Sequence, residues 1–107
     1  MKDFDKIIWR DALTLVDFFA TWCGPSQAIH PEIDKFQKRM NGRADVYRMD
    51  IDDPDLAEVV RRYNIMSVPT LMFFRRGEVL WRESGRVDYG HLVHVLDELE
   101  NREQVPL

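Results

Sequence analysis

The stretch Leu15-Val16-Asp17-Phe18-Phe19-Ala20 gives way at Thr21-Trp22-Cys23-Gly24-Pro25-Ser26 to a segment, from Gln27 to about Met40, with the character of a helix. The mostly apolar run reads as a buried strand, so Cys23, the one cysteine of the chain, lies where a strand hands over to a helix. Backbone N–H groups at a helix N-terminus are unpaired, and the helix dipole adds partial positive charge there. Both favour negative charge, and hence a thiolate over a thiol. The thiolate is the nucleophile, so this placement points to redox chemistry. A lone cysteine is ordinarily a small buried apolar residue. The neighbours argue for an accessible one: Trp22 forms an apolar lip, Gly24 permits close backbone approach, and Pro25 stiffens the first helical turn at little cost.

The other elements follow from periodicity and turn chemistry. Phe4, Ile7 and Ile8 have helical spacing, which predicts a short helix from Asp3 to about Arg10. Thr14–Ala20 is the first strand. The helix after Cys23 should bend at Pro31, which lacks the N–H that an interior turn needs, and should end at Asn41-Gly42. Ala44–Ile51 reads as a strand. Asp53-Pro54 opens a helix to about Tyr63 with an N-cap and a proline in its first turn. Thr70–Arg75 and Glu78–Ser84 form a hairpin about Arg76-Gly77, and Asp88 starts a final helix with Leu92, Val95, Leu96 and Leu99 on one face. The order α-β-α-β-α-β-β-α predicts an α/β fold with a mixed sheet and helices on both faces.

Length and charge narrow the possibilities. At 107 residues the chain is expected to be a single domain, residues 1–107. No run of 18 apolar residues is present, so no membrane span is expected. The first 20 residues lack a basic, then apolar, then small-residue pattern, which suggests a cytoplasmic protein. The net charge of −4, with both signs interspersed, does not suggest nucleic acid. Arg61-Arg62 and Arg75-Arg76 read as solvated surface. One cysteine excludes an internal disulfide or a multi-cysteine zinc site. His91 and His94 share a helix face without a third ligand, His30 has no evident partner, and Pro54 breaks the superficial calcium-loop look of Asp50-Ile51-Asp52-Asp53. No metal and no cofactor are implied.

Several motifs together carry a resemblance. Val16-Asp17-Phe18, Trp22-Cys23-Gly24-Pro25, Pro31, Asp50-Ile51-Asp52, Val68-Pro69-Thr70, the hairpin from Phe74 to Gly77 and the loop at Gly85 resemble the thioredoxin family, over about residues 3–100. The resemblance implies a thioredoxin fold. The N-terminus looks too short for that family's first edge strand, leaving a mixed sheet of about four strands. It also implies a buried acid at Asp17 acting as proton acceptor, a cis-proline turn at Val68-Pro69, and attack by Cys23 on protein disulfides. Trp22, Met66, Val68, Pro69 and Gly85, with Pro25, would then surround the substrate disulfide. A Val68 backbone N–H and C=O open beside Cys23 could pair with an extended substrate segment.

Two positions depart from the family pattern. Ser26 stands where thioredoxins carry the second, resolving cysteine, and Arg48 stands near the acid where they carry a lysine. A serine hydroxyl is too weakly acidic to attack a mixed disulfide at neutral pH, though it can donate a hydrogen bond to the Cys23 thiolate. A guanidinium does not neutralise as an ammonium can, which changes the tuning of Asp17. The expectation is a protein-disulfide reductase whose adducts persist until an outside thiol attacks. On this reading Ser26 replaces a native resolving cysteine, which makes the chain a trapping variant of a dithiol thioredoxin. Disulfide-containing proteins are the expected partners, with thioredoxin reductase for a dithiol form, and a Cys23–Cys23 disulfide between two copies is a further expectation. The alternatives are a natural monothiol, glutaredoxin-like protein acting with glutathione, and a non-catalytic binding module. Pro25, and the absence of a glycine-rich glutathione motif around Ser84-Gly85-Arg86, weaken the former.

Overall fold

Strand β1 (Thr14–Phe19) is hydrogen-bonded along both edges, inside a sheet of order β2-β1-β3-β4. The computed structural model describes residues 2–104. β2 (Asp45–Asp50) runs parallel to β1, while β3 (Thr70–Arg75) runs antiparallel to it, and β4 (Glu78–Ser84) closes the sheet as the second arm of a hairpin. The sheet is therefore mixed and four-stranded, and both strands of the hairpin have the bounds that the sequence predicts.

Alternation along β1 decides what lies on each face. Leu15 faces a core with Ile33 and Phe36 of α3 (His30–Arg39), Leu71 and Phe73 of β3, and Leu92, Leu96 and Leu99 of α5 (Tyr89–Gln104). Val16 and Phe18 face the opposite core, with Phe4 and Ile8 of α1 (Lys2–Ile8), Val59 of α4 (Ala57–Arg62), Met72 and Phe74. Phe4 is fully buried, and its ring meets Phe74 edge-on with centroids 5.7 Å apart. α1 is also tied to the hairpin through its end: the Gly77 N–H donates to the Ile8 carbonyl at 2.8 Å, and the Arg76 N–H to the Arg10 carbonyl at 3.0 Å. The Arg76-Gly77 turn has positive φ at both residues, 51° and 80°. This is the backbone that a two-residue hairpin loop requires. A side chain at Gly77 would collide with the ring of Trp9.

Two helices differ from expectation. The single bent helix after Cys23 is instead two, α2 (Gly24–Ala28) and α3, with the break at Ile29. Pro31 has no N–H to offer the Gln27 carbonyl four residues before it, and that carbonyl is taken by the Ile29 N–H. Regular pairing resumes with Ile33 N–H to Ile29 O at 3.0 Å. The helix opened by Asp53-Pro54 starts as a 3-10 turn, Pro54–Leu56, before α4. Asp53 caps it through the Asp55 N–H at 3.0 Å, as its position predicts.

Surface ion pairs are secondary to this packing. Arg43 reaches Asp97 at 2.7 Å and Glu100 at 2.5 Å, all three partly exposed. Such pairs contribute about 0–1 kcal/mol each. Truncation of a buried ring costs more. Phe4→Ala should therefore destabilise the fold by about 3–5 kcal/mol in urea unfolding, whereas Arg43→Ala should cost about 1 kcal/mol or less.

Candidate active site

The C-terminal end of β1 delivers Ala20 to the interior, and the chain turns back there to present Cys23. The Cys23 N–H donates to the Ala20 carbonyl at 3.2 Å, and the Cys23 carbonyl accepts from Gln27 N–H at 3.1 Å, which makes Cys23 the N-cap of α2. Gln27 secures the same turn by donating its side-chain amide to the Ala20 carbonyl at 3.0 Å. Cys23 is half-buried and carries a free thiol. Gly24 and Pro25 are exposed beside it, and Pro25 lies in the first turn of α2.

The peptide bond between Val68 and Pro69 is cis. The Val68 carbonyl lies 3.5 Å from Cys23 Sγ and is the acceptor for the thiol. Pro69 is buried, and its carbonyl accepts from the Gly85 N–H at 2.9 Å, which ties the Gly85 loop to the same turn. Gly85 has φ of 96°, a conformation that side-chain-bearing residues rarely adopt. Trp22, next to Cys23 in the chain, and Met66, two residues before Val68, are 69% and 83% exposed. Thus hydrogen bonds and chain continuity connect Cys23, Val68, Pro69 and Gly85, with Trp22, Gly24 and Pro25 adjoining Cys23 in the chain.

Ser26 faces inward. It is fully buried, and its Oγ accepts from the Ala20 N–H at 3.1 Å. The bond the sequence suggests, from the Ser26 hydroxyl to the sulfur, is not among those formed; the sulfur's own hydrogen bond goes to Val68. The Trp22 indole is more than an apolar lip. Its N–H donates to Asp52 at 2.7 Å, which fixes the ring beside Cys23. An indole three residues after an apolar strand gives no sign in sequence of a partner thirty positions away.

Asp17 lies on the same face of β1 as Leu15, fully buried. Neither of its carboxylate oxygens has a hydrogen-bond partner. Desolvation pushes its pKa up to about 6, against a smaller opposing pull from Arg48. Arg48 is its partner in the parallel register, yet the guanidinium bonds elsewhere, to the His30 carbonyl at 3.0 Å and to Asp34 at 2.8 Å. His30 packs edge-on against Phe19, and its pKa is lowered by burial and by the charge of Arg48, keeping the imidazole neutral at pH 7. His30 and Asp34 were silent in sequence, because only the packing of α3 on β2 brings them to Arg48. His91 and His94 are exposed and lie against Glu83 and Glu98. Among the described residues, no cluster of side chains suits a metal ion, and no helix is long and apolar enough to cross a membrane.

A strand ending in a cysteine-capped helix, faced by a cis-proline turn on a mixed sheet, defines the thioredoxin architecture. The thioredoxin family model matches residues 1–98, and this chain belongs to that family of thiol–disulfide oxidoreductases. It is 41% identical over 77 residues to thioredoxin-1 of Saccharomyces cerevisiae, an alignment covering 72% of each chain. It is 38% identical over 97 residues to the thioredoxin of Staphylococcus epidermidis, covering 90% of this chain and 89% of the relative. Among solved structures, Malassezia sympodialis thioredoxin superposes with a TM-score of 0.80 at 26% identity, covering 91% of this chain and 83% of the other. Chloroplastic thioredoxin z gives a TM-score of 0.80 at 26% identity, with 94% and 88% covered.

The raised pKa of Asp17 makes stability depend on pH with a definite sign. At pH well below 3.8 the carboxyl is neutral in both folded and unfolded chains, and its burial carries no charge penalty. As pH rises from there through about 6, the unfolded chain ionises first and folding is progressively disfavoured. Asp17→Asn should therefore match the parent near pH 3.5 and exceed it by about 3 kcal/mol at pH 8, measured by denaturant unfolding across that range.

Proposed function

We propose that this chain reduces protein disulfides through Cys23 and, with Ser26 in the second position, holds its substrates as mixed disulfides. The observation that carries the reading is the placement of the two side chains. Cys23 is accessible at the head of α2 beside the Val68-Pro69 turn, while the position three residues on is fully buried.

In the first step the Cys23 thiolate attacks one sulfur of a substrate disulfide. A Cys23–substrate S–S bond forms, the substrate S–S bond breaks, and the second substrate sulfur leaves as a thiolate that takes up a proton. In a dithiol form, a thiolate at position 26 would attack Cys23, release the reduced substrate and leave an internal disulfide for thioredoxin reductase. Asp17, buried with no hydrogen-bond partner on the strand that leads into this turn, is suited to accept the proton of that second thiol. Ser26 cannot take the step, so release waits for an external thiol. The exposed rings and side chains of Trp22 and Met66, with the Val68 backbone and Gly85, offer an apolar surface to a flexible polypeptide of little side-chain specificity. The same accessible thiol supports a Cys23–Cys23 link between two copies when no substrate is present.

Insulin disulfide reduction with dithiothreitol as electron source tests the reading. The Ser26→Cys form should turn over rapidly, and the chain as it stands should be slower by at least about 100-fold while accumulating adducts that dithiothreitol releases. Cys23→Ala should abolish both. Partner capture that survives Cys23→Ala would identify a binding module instead, and equal inactivity of the Ser26→Cys form would overturn the dithiol reading.

A further inference from the structure

Asp17 and Arg48 are opposite one another on adjacent parallel strands, which places the acid and the base on the same face of the sheet. A carboxylate and a guanidinium so placed ordinarily make a bidentate pair. Here they do not. Both oxygens of Asp17 and the Nε of Arg48 are buried without a partner, although the two residues are neighbours. The same guanidinium has one hydrogen-bonded nitrogen, Nη2, which donates to the His30 carbonyl at 3.0 Å and to Asp34 at 2.8 Å, both on α3. Asp34 is the only charged acceptor of the two, and its side chain is 56% exposed.

We propose that Asp34 is a positioning residue for the buried acid: by holding the Arg48 guanidinium against α3, it prevents the Asp17–Arg48 ion pair that the strand register would otherwise form. The competition is between two carboxylates for one cation. Asp34 has the advantage of water, since pairing there leaves the guanidinium partly solvated, whereas pairing with Asp17 would draw it fully inside. The other groups around Asp17 do not supply a substitute. On α3, His30 is neutral at pH 7. On β3 the residue opposite is Leu71, and at the head of α2 stand Cys23 and the uncharged Ser26. The consequence for chemistry rests on the reading of Asp17 as a proton acceptor: an acid clamped by a guanidinium would stay ionised and hold no proton near neutrality, whereas an unclamped one takes up and gives back a proton there.

The test is the titration of the Asp17 side-chain carboxyl by carbon-13 NMR in the intact chain, a readout in which Cys23 takes no part. Asp34→Ala should free the guanidinium to engage Asp17 and lower its titration midpoint by about 1 pH unit or more. The same substitution made together with Arg48→Met should lower the midpoint only slightly relative to Arg48→Met alone, because no guanidinium remains to move. An unchanged midpoint in Asp34→Ala overturns the proposal. So does a fall of the same size in both backgrounds, which would be the through-space effect of removing a negative charge. Insulin reduction by the Ser26→Cys form is scored separately, so an inert Cys23 would refute the proposed function and leave this titration result standing.

Discussion

A carboxyl group sealed in the middle of a sheet, with no hydrogen bond to either oxygen, is the constraint around which this molecule is arranged. Ionised, it costs on the order of 3 kcal/mol, a sizeable share of the 5–15 kcal/mol by which a domain of this kind is stable. The surrounding packing has to offset that. Leu15, Ile33, Phe36, Leu71 and Phe73 fill the face that Asp17 occupies, and an independent aromatic cluster about Phe4, Phe18 and Phe74 fills the other. β1 and β3 each send side chains into both cores, so the strand that carries the acid is one of the two on which both layers depend.

The site is the direct extension of that strand. Ala20 is the hub: its N–H goes to Ser26, and its carbonyl receives both the Cys23 N–H and the Gln27 amide. The cap of α2 and two of its residues, Ser26 and Gln27, are thereby fixed to the residue that follows the central strand. The opposing wall comes from elsewhere in the chain, yet it is held as firmly, since Val68 meets the sulfur and Pro69 anchors Gly85. Backbone and side-chain hydrogen bonds together thus hold both walls of the site, which leaves the exposed Trp22 and Met66 free to face a partner.

Much of this was legible in the sequence, and the reasons are local. The β3–β4 hairpin follows from two β-prone runs on either side of an Arg-Gly turn, a short-range signal. The order of elements followed from periodicity. The Cys23 loop was legible from its place between strand and helix together with the family resemblance, and the cis turn at Val68-Pro69 from the resemblance alone, since a proline entering a strand is ordinarily trans. The break at Ile29 was misjudged as a bend because Pro31 says that a hydrogen bond is lost but not how the freed Gln27 carbonyl will be satisfied. The 3-10 start of the fourth helix was missed for a similar reason: Asp53 and Pro54 suit either kind of first turn. The network of His30, Asp34 and Arg48 was invisible, because it depends on the angle at which α3 crosses β2. Sequence spacing carries no record of that angle.

The inward orientation of position 26 has a consequence for chemical insulation. The hydroxyl there has no exposed surface and is bound to a strand amide, so any thiol installed in its place would be out of reach of peroxides, alkylating agents and bulky disulfides alike. Only a sulfur presented by Cys23 could approach it. The fold would then work as a one-way valve for oxidising equivalents: everything from outside must enter through the cap of α2, and the second position is shielded from any reagent that has not first been captured there.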